Sequence, residues 1–233
     1  VIGLGPAEAA ALGLSLKVGL WSVAGTLPLA FGLAYLLARG RFPGKALLDA
    51  VVHLPLVLPP VVTGFALLLL FGRNGPAGQW LESWFGVSVL FRWVGAAIAA
   101  GVMALPLMVR AMRLSIEAVD MRLAVAARTL GATRWHAFRT ITLPLSLPGV
   151  IAGVVLGFAR SVGEFGATIT FVSNIPGETQ TLPIAIYSQL QVPGGEAAAL
   201  RLSVIAVLLS LAALVASEAL ARRWSRGRVS HVI

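Results

Sequence analysis

Five mostly apolar runs, at about 12–38, 46–71, 93–112, 145–172 and 199–221, dominate this sequence. Each reaches the roughly 20 residues that a helix needs to cross a hydrocarbon core about 30 Å thick, at about 1.5 Å per residue. A soluble fold has nowhere to put them. Of 233 residues, 58% are hydrophobic and 12% charged, and the mean hydropathy is +0.90. A soluble domain carries roughly 25% charged residues and must keep a large surface in water. The chain therefore reads as all-α and integral to a membrane: one domain, residues 1–233, with five transmembrane helices and lipid as its surroundings. An ordinary soluble enzyme, a disordered chain and a nucleic-acid-binding module are excluded. The first run is too long for a signal peptide, has no basic segment before it and no small-residue cleavage pattern after it.

The net charge of +9 is an orientation signal, not a nucleic-acid signal. Three regions hold most of the basic side chains: the turn Arg39, Arg41, Lys45; the loop with Arg110, Arg113, Arg122, Arg128, Arg134 and Arg139; and the tail with Arg222, Arg223, Arg226 and Arg228. With five spans all three fall on one side, which the excess of Lys and Arg marks as cytoplasmic. The N-terminus is then outside and the C-terminus inside. The opposite side carries Arg73, Arg92 and the acids Glu8, Glu82, Glu178 and Glu196, with Arg201 near a boundary. Two elements too short to span lie on that outer face, around Gln79–Phe85 and Leu182–Gln191.

There is no cysteine, hence no disulfide framework and no thiolate metal site. His53 and His136 are isolated, with no second ligand at metal spacing. No metal site and no bound cofactor are expected.

The loop between the third and fourth spans, about 113–144, holds the most specific pattern. Asp120 is placed to cap a helix start and Gly131 to end that helix in a left-handed turn. Thr133 is placed to cap a second helix, and Pro144 stands near the start of the fourth span. Two short helices with an elbow follow, basic through Arg122, Arg128 and Arg134, with Met121, Val125 and Leu130 on an apolar side. Such a pair suits docking against a soluble partner; it equally suits a basic loop that only fixes topology.

Ala126 and Ala127, then Gly131 after three residues, Ile141 after nine more and Leu143-Pro144 after one more resemble the cytoplasmic loop of permeases in binding-protein-dependent ABC importers. The family's form is Glu-Ala-Ala, three residues, Gly, nine residues, Ile, one residue, Leu-Pro. Val125 replaces the Glu, so no ion pair comes from that position. Further stretches are similar to the molybdate permease branch of this family, with sulfate and tungstate permeases as near relatives: Phe42-Pro43-Gly44-Lys45, Leu54 to Gly64, Ala127 to Ala132, Thr140 to Gly149 and Gly157 to Thr179. The similarity runs from the first span to the fifth.

The resemblance implies the type I ABC importer permease fold, in a bacterial inner membrane, as a homodimer. Two ATP-binding cassette subunits would sit on the cytoplasmic side and a substrate-binding protein on the outer side. The cargo would be an oxyanion, molybdate first, with tungstate or sulfate as the alternatives. ATP and Mg²⁺ belong to the partner ATPase, and this chain has no Gly-x-x-x-x-Gly-Lys-Ser/Thr loop of its own. The loop would be the coupling element, with Asp120, Val125, Ala126, Ala127, Arg128, Gly131, Arg134, Ile141, Leu143 and Pro144 as its residues.

Candidate pathway residues lie within the spans. Arg160 and Glu164 are four apart in the fourth run and would pair on one helix face. A lone charge at mid-membrane costs from about 3 kcal/mol upward, so both should face protein or water. Two readings fit: a gate beside the path, or an ion pair that fixes packing. Pro59 and Pro60, with Pro55, should bend the second span; Thr63 and Gly64 follow, small enough for close helix approach. Outside, the polar loop with Ser173, Asn174, Glu178 and Thr179 is either a contact for the binding protein or a plain connection.

Two other classes fit less well. An intramembrane serine enzyme would want a nucleophile elbow and a histidine; the one near match, Arg160-Ser161-Val162-Gly163, has no histidine in a nearby span. An ATPase-independent channel or secondary carrier would have no use for the coupling loop, and five spans do not divide into inverted repeats.

Overall fold

The computed structural model describes the backbone of residues 5–229, and the side chains through residue 213 and at Val215. The fold is helical: α1 (Pro6–Arg39), α2 (Lys45–Val57), α3 (Pro60–Phe71), α4 (Pro76–Phe85), α5 (Trp93–Glu117), α6 (Met121–Thr129), α7 (Arg134–Ala137), a π-turn (Phe138–Thr142), α8 (Leu143–Val162), α9 (Gly166–Val172), α10 (Leu182–Leu190) and α11 (Glu196–Val229). Among the described residues, four segments are long and apolar enough to cross a membrane: Pro6–Arg39, Trp93–Glu117, Arg134–Val162 and Glu196–Ala213. A fifth arises if α2 and α3 together are one broken span.

α5 is the central helix, and its composition explains why. Ala96, Ala99, Ala100, Ala104, Met108, Val109, Met112 and Ile116 are all fully buried. The alanines let neighbouring helices close in, and Met108 and Met112 fill the space that glycines leave on α8. α8 answers with Gly149, Gly153 and Gly157, spaced by four and all buried. A Cβ on Gly153 would lie 2.9 Å from Met112 Cε, and one on Gly157 2.7 Å from Met108 Sδ. Helices in lipid associate through such close packing, since lipid tails are as apolar as leucine. Serines join the same interfaces: Ser22 Oγ donates to Ser161 Oγ at 2.8 Å, and Ser115 Oγ donates to the Ser146 carbonyl at 3.2 Å.

Two expected spans are broken. The run at 46–71 is two helices, α2 and α3, that meet at 114°. Pro59 and Pro60 have no N–H, so the ladder stops after the Leu58 N–H to Leu54 carbonyl bond of 3.0 Å, and α3 restarts with Pro60 as its first residue. The run at 145–172 also divides. α8 ends at Val162, Gly163 closes it, and α9 begins at Gly166. The membrane helix instead extends backwards, since the chain stays helical from Arg134 through the π-turn and past Pro144 into α8. Pro144 is tolerated because it lies in the first turn of α8, and the wider π-turn just before it absorbs the mismatch.

The ends of the bundle are distinct. At one end Arg39 reaches the last turn of α5 and Arg113 reaches Asp49, so the basic turn after α1 and the basic loop after α5 share that end. At the other, Ser15 Oγ accepts from Leu182 N–H at 2.6 Å, Glu8 pairs with Arg201 at 2.8 Å, and Lys17 Nζ lies 3.9 Å from the Trp93 ring centre. The two short elements expected on the outer face are α4 and α10. The basic tail Arg222, Arg223, Arg226 and Arg228 lies outside the described side chains.

Candidate functional site

The loop after α5 folds into an exposed elbow. Asp120 caps α6, its carboxylate accepting from Arg122 N–H at 2.9 Å. α6 ends at Thr129 with Leu130 as its C-cap, and Gly131 takes φ +93°, a conformation that L side chains rarely adopt. The Ala132 N–H then returns to the Ala127 carbonyl at 3.0 Å, closing the turn. Thr133 caps α7, its hydroxyl accepting from His136 N–H at 3.1 Å.

No residue of α6 is buried. Met121, Leu123 and Val125 are about half exposed, and Leu130 is 89% exposed. The helix thus offers apolar side chains on more than one side, broader than the single apolar side expected. Val125, Ala126 and Arg128 are exposed and Ala127 half-buried. Ile141, Leu143 and Pro144 lie beyond the elbow, half-buried at the start of the membrane helix, so the motif's second half anchors while its first half is presented. Arg134 lines a shallow groove with Phe31, Gly32, Tyr35, Trp135 and Phe138, where Phe138 meets Tyr35 edge-on at 5.4 Å.

The joint between α5 and α6 is held by groups the sequence reading did not single out. Arg39 Nη2 donates to the carbonyls of Ile116 at 2.6 Å and Val119 at 2.8 Å. Arg113 bridges Asp49 of α2 at 2.9 Å and Glu117 at 2.8 Å. His53 Nδ1 lies 2.9 Å from the Asp49 carbonyl and 3.1 Å from its carboxylate. Arg113 and Glu117, four apart, were visible in sequence as a helical pair; Asp49 was visible as the one acid in the second run. Among the described residues no cluster of three or more metal-ligating side chains occurs, and neither His53 nor His136 belongs to one.

The candidate pathway residues gather where α3 crosses α9. A Cβ on Gly64 would lie 2.5 Å from the Ala167 carbonyl oxygen, and one on Gly166 would lie 2.9 Å from Pro60 Cβ. Thr63 is buried beside this crossing with its hydroxyl unpartnered. Glu164 is 2% exposed. Its carboxylate takes Arg160 Nη1 at 2.5 Å with one oxygen and Ala167 N–H at 2.8 Å with the other. The pair forms, but not along one helix as its spacing suggested: α8 has already ended, and Glu164 caps the start of α9.

The loop between α9 and α10, expected on the outer side, is tied to itself and to α10. Thr179 is fully buried; its hydroxyl accepts from Ile175 N–H at 2.8 Å and donates to the Ser173 carbonyl at 3.0 Å. Asn174 Nδ2 donates to Ser188 Oγ at 2.8 Å, and Gln180 Nε2 to Asn174 Oδ1 at 3.0 Å. Ser173, Asn174 and Glu178 remain exposed; Thr179 holds them in place and offers nothing outward.

Known proteins carry the same pattern. Residues 27–226 match the family described as "binding-protein-dependent transport system inner membrane component". The chain is 60% identical to the molybdenum transport system permease protein ModB of Escherichia coli, over 90% of this chain and 91% of that one. It is 58% identical to ModB of Haemophilus influenzae, over 94% and 96%. Identity to the sulfate transport system permease protein CysT of Escherichia coli is 41%, over 86% and 73%. In fold it is similar to a chain of a bacterial alginate ABC transporter in complex with its periplasmic protein, with TM-score 0.74 at 18% identity over 94% of this chain and 80% of that one. For a chain of the MetNI methionine ABC transporter the TM-score is 0.67 at 18% identity, over 93% and 94%. These neighbours share the type I ABC importer permease fold.

Proposed function

The chain belongs to the family of binding-protein-dependent transport system inner membrane components, and on that premise we propose that it is the permease subunit of an ATP-driven importer for molybdate. The observation that carries the cargo is the 60% identity to a molybdenum permease across 90% of the chain, against 41% to a sulfate permease. The subunit works as a homodimer, with two ATP-binding cassette subunits at the α6 end and a substrate-binding protein at the end of α10. The α6 end is cytoplasmic, the N-terminus outside and the C-terminus inside, which the basic residues around Arg39 and α6 support.

In this reading α6 is the element that enters the ATPase. Its exposed surface, with Val125, Ala126, Arg128 and the elbow at Gly131, supports that role, because a helix with no buried residue contributes little to its own subunit's core. ATP binding and hydrolysis by the partner drive the permease between outward- and inward-facing states. The α3–α9 crossing, with Pro59, Pro60, Thr63, Arg160 and Glu164 around it, is the part of the pathway that opens and closes. The buried ion pair leaves no free charge there, which suits passage of an anion that must not be retained. Ser173, Asn174 and Glu178 face the binding protein.

The test is uptake of radiolabelled molybdate by cells that lack their own system and express this chain with its ATPase and binding protein. Competition by excess tungstate but weakly by sulfate is the expected result. Uptake of sulfate in preference to molybdate overturns the cargo assignment, and uptake that survives inactivation of the ATPase overturns the importer.

A further inference from the structure

The coupling helix α6 joins the membrane domain at both ends, through residues 130–133 to α7 and through Ala118, Val119 and Asp120 to α5, and the second of these joints is gripped by a side chain from a third helix. A helix ends with carbonyls that have no partner in the helix. At the end of α5 the Ile116 carbonyl receives Val119 N–H at 3.2 Å, and then both Ile116 and Val119 carbonyls receive a guanidinium from another helix. That guanidinium is Arg39, the last residue of α1, 77 and 80 residues away in sequence. Ile116 and Val119, whose carbonyls it holds, are themselves buried. Arg39 Nε is buried there too without a hydrogen-bond partner, so the side chain is inserted for its two carbonyl bonds at the cost of one unmet donor. Charge-assisted bonds out of water are stronger than neutral ones.

We infer that Arg39 is a positioning residue for coupling: it fastens α1 to the joint, so that a displacement of α6 moves α1 together with α5. This deepens the docking role proposed for α6 and rests on it. The argument is mechanical. α6 buries none of its own residues, so a push on it enters the membrane domain where the backbone does: through the elbow into α7 and α8, and at Val119 into α5. Along the rest of α5 that push would reach α1 through packed side chains and, at the far end, the Lys17–Trp93 contact, which include no hydrogen bond among the described residues and give under load. Two hydrogen bonds from a single nitrogen to the joint itself do not. α2 is fastened to the same turn of α5 from its own side, through Asp49, Arg113 and Glu117, so α1 and α2 both follow the joint.

The experiment uses the assembled importer in proteoliposomes and reads molybdate imported per ATP hydrolysed, with Arg39→Gln and Arg39→Lys. Gln keeps one donor group and loses the charge; Lys keeps the charge on a shorter, unforked side chain. The expected outcome is that R39Q still binds the ATPase and hydrolyses ATP but imports about fivefold less per ATP, with R39K between it and the native protein. A residue that only capped α5 would lower yield and melting temperature and leave that ratio unchanged; that result overturns the inference. A second measurement does not depend on transport. The chain has no cysteine, so Arg41→Cys and Leu123→Cys, both at exposed positions, accept spin labels without interference. With Arg39 present the label distance should be narrow and unchanged by ATP; with R39Q it should broaden or shift. Equal narrow distributions in both overturn the inference. If α6 is not the docking element, a cross-link from Leu123→Cys to the ATPase will fail in the protein with native Arg39, and the docking reading falls while the label distances still report on Arg39.

Discussion

Arg160 and Glu164 meet around the end of a helix: Nη1 of one lies 2.5 Å from Oε2 of the other, while α8 stops at Val162 between them. Glu164 therefore serves two elements at once, as the counter-charge for the last turn of α8 and as the N-terminal cap of α9 through Ala167 N–H.

That double duty separates the variants of this pair. Arg160→Ala leaves a carboxylate that is 2% exposed without its counter-ion, and breaking a buried pair from one side costs about 3–5 kcal/mol. Glu164→Gln keeps an acceptor for Ala167 N–H and removes the buried charge, and it should cost less. Glu164→Ala loses both and should cost most. Thermal unfolding in detergent orders the three; equal losses for Glu164→Gln and Glu164→Ala would show that the cap contributes nothing.

The α3–α9 crossing should reject even one methyl group. A Cβ on Gly64 would lie 2.5 Å from the Ala167 carbonyl oxygen and 2.9 Å from Ala167 Cα, backbone atoms that cannot swing aside. Gly64→Ala should destabilise by about 1–3 kcal/mol through overpacking, and molybdate uptake should fall with it. Gly25, on α1, has nothing within 4 Å of a built Cβ and is the control: Gly25→Ala should be neutral or slightly stabilising, because alanine is the better helix former. Unfolding midpoints of the two variants settle the comparison.

Much of this architecture was legible. The apolar runs gave five candidate spans because lipid demands about 20 apolar residues of any crossing helix, and the Asp120, Gly131 and Thr133 signals located both ends of the elbow, since caps are local chemistry. The glycine spacing at 149, 153 and 157 was present in the sequence and marks the α5–α8 interface. What was not legible depended on where chains break and what meets across distance. Hydropathy is blind to direction, so α2–α3 and α8–α9 each read as one span, although Pro59-Pro60 and Gly163 marked the breaks. Arg39 looked like one of several basic residues after a span; its role comes from carbonyls 77 and 80 residues away, and backbone acceptors leave no trace in side-chain pattern. Thr179 looked like a polar loop residue, and burial inside its own loop is a tertiary property.

At the elbow, Gly131 meets nothing within 4 Å of a built Cβ, so any harm from a substitution comes from its φ of +93° and not from crowding. Gly131→Val should cost about 1–2 kcal/mol locally and turn α6 away from its bearing, reducing co-purification of the ATPase while the membrane domain still folds. Gly131→Asn should be milder, because Asn enters the left-handed region more readily. A pull-down of the ATPase by each variant is the measurement. Normal attachment and uptake with Gly131→Val would remove the elbow from the coupling account.

Thr179 tests whether the loop between α9 and α10 is held rigid for a purpose. Its hydroxyl takes Ile175 N–H at 2.8 Å and gives to the Ser173 carbonyl at 3.0 Å, and Ser173 sits at φ +65°, so these two bonds, beside those of Asn174 and Gln180, hold a strained residue in place. Thr179→Val preserves shape and volume and removes both bonds. It leaves the Ile175 donor unmet, a loss of about 1–3 kcal/mol, and it should be confined to the loop because no helix of the core depends on it. Hydrogen exchange at 173–181 should then quicken while exchange in α5 and α8 stays as before. If Ser173, Asn174 and Glu178 meet the binding protein, the looser loop should weaken that docking, and uptake should need a higher concentration of the binding protein to reach the same rate. Faster exchange with an unchanged concentration dependence would leave the loop as a plain connection.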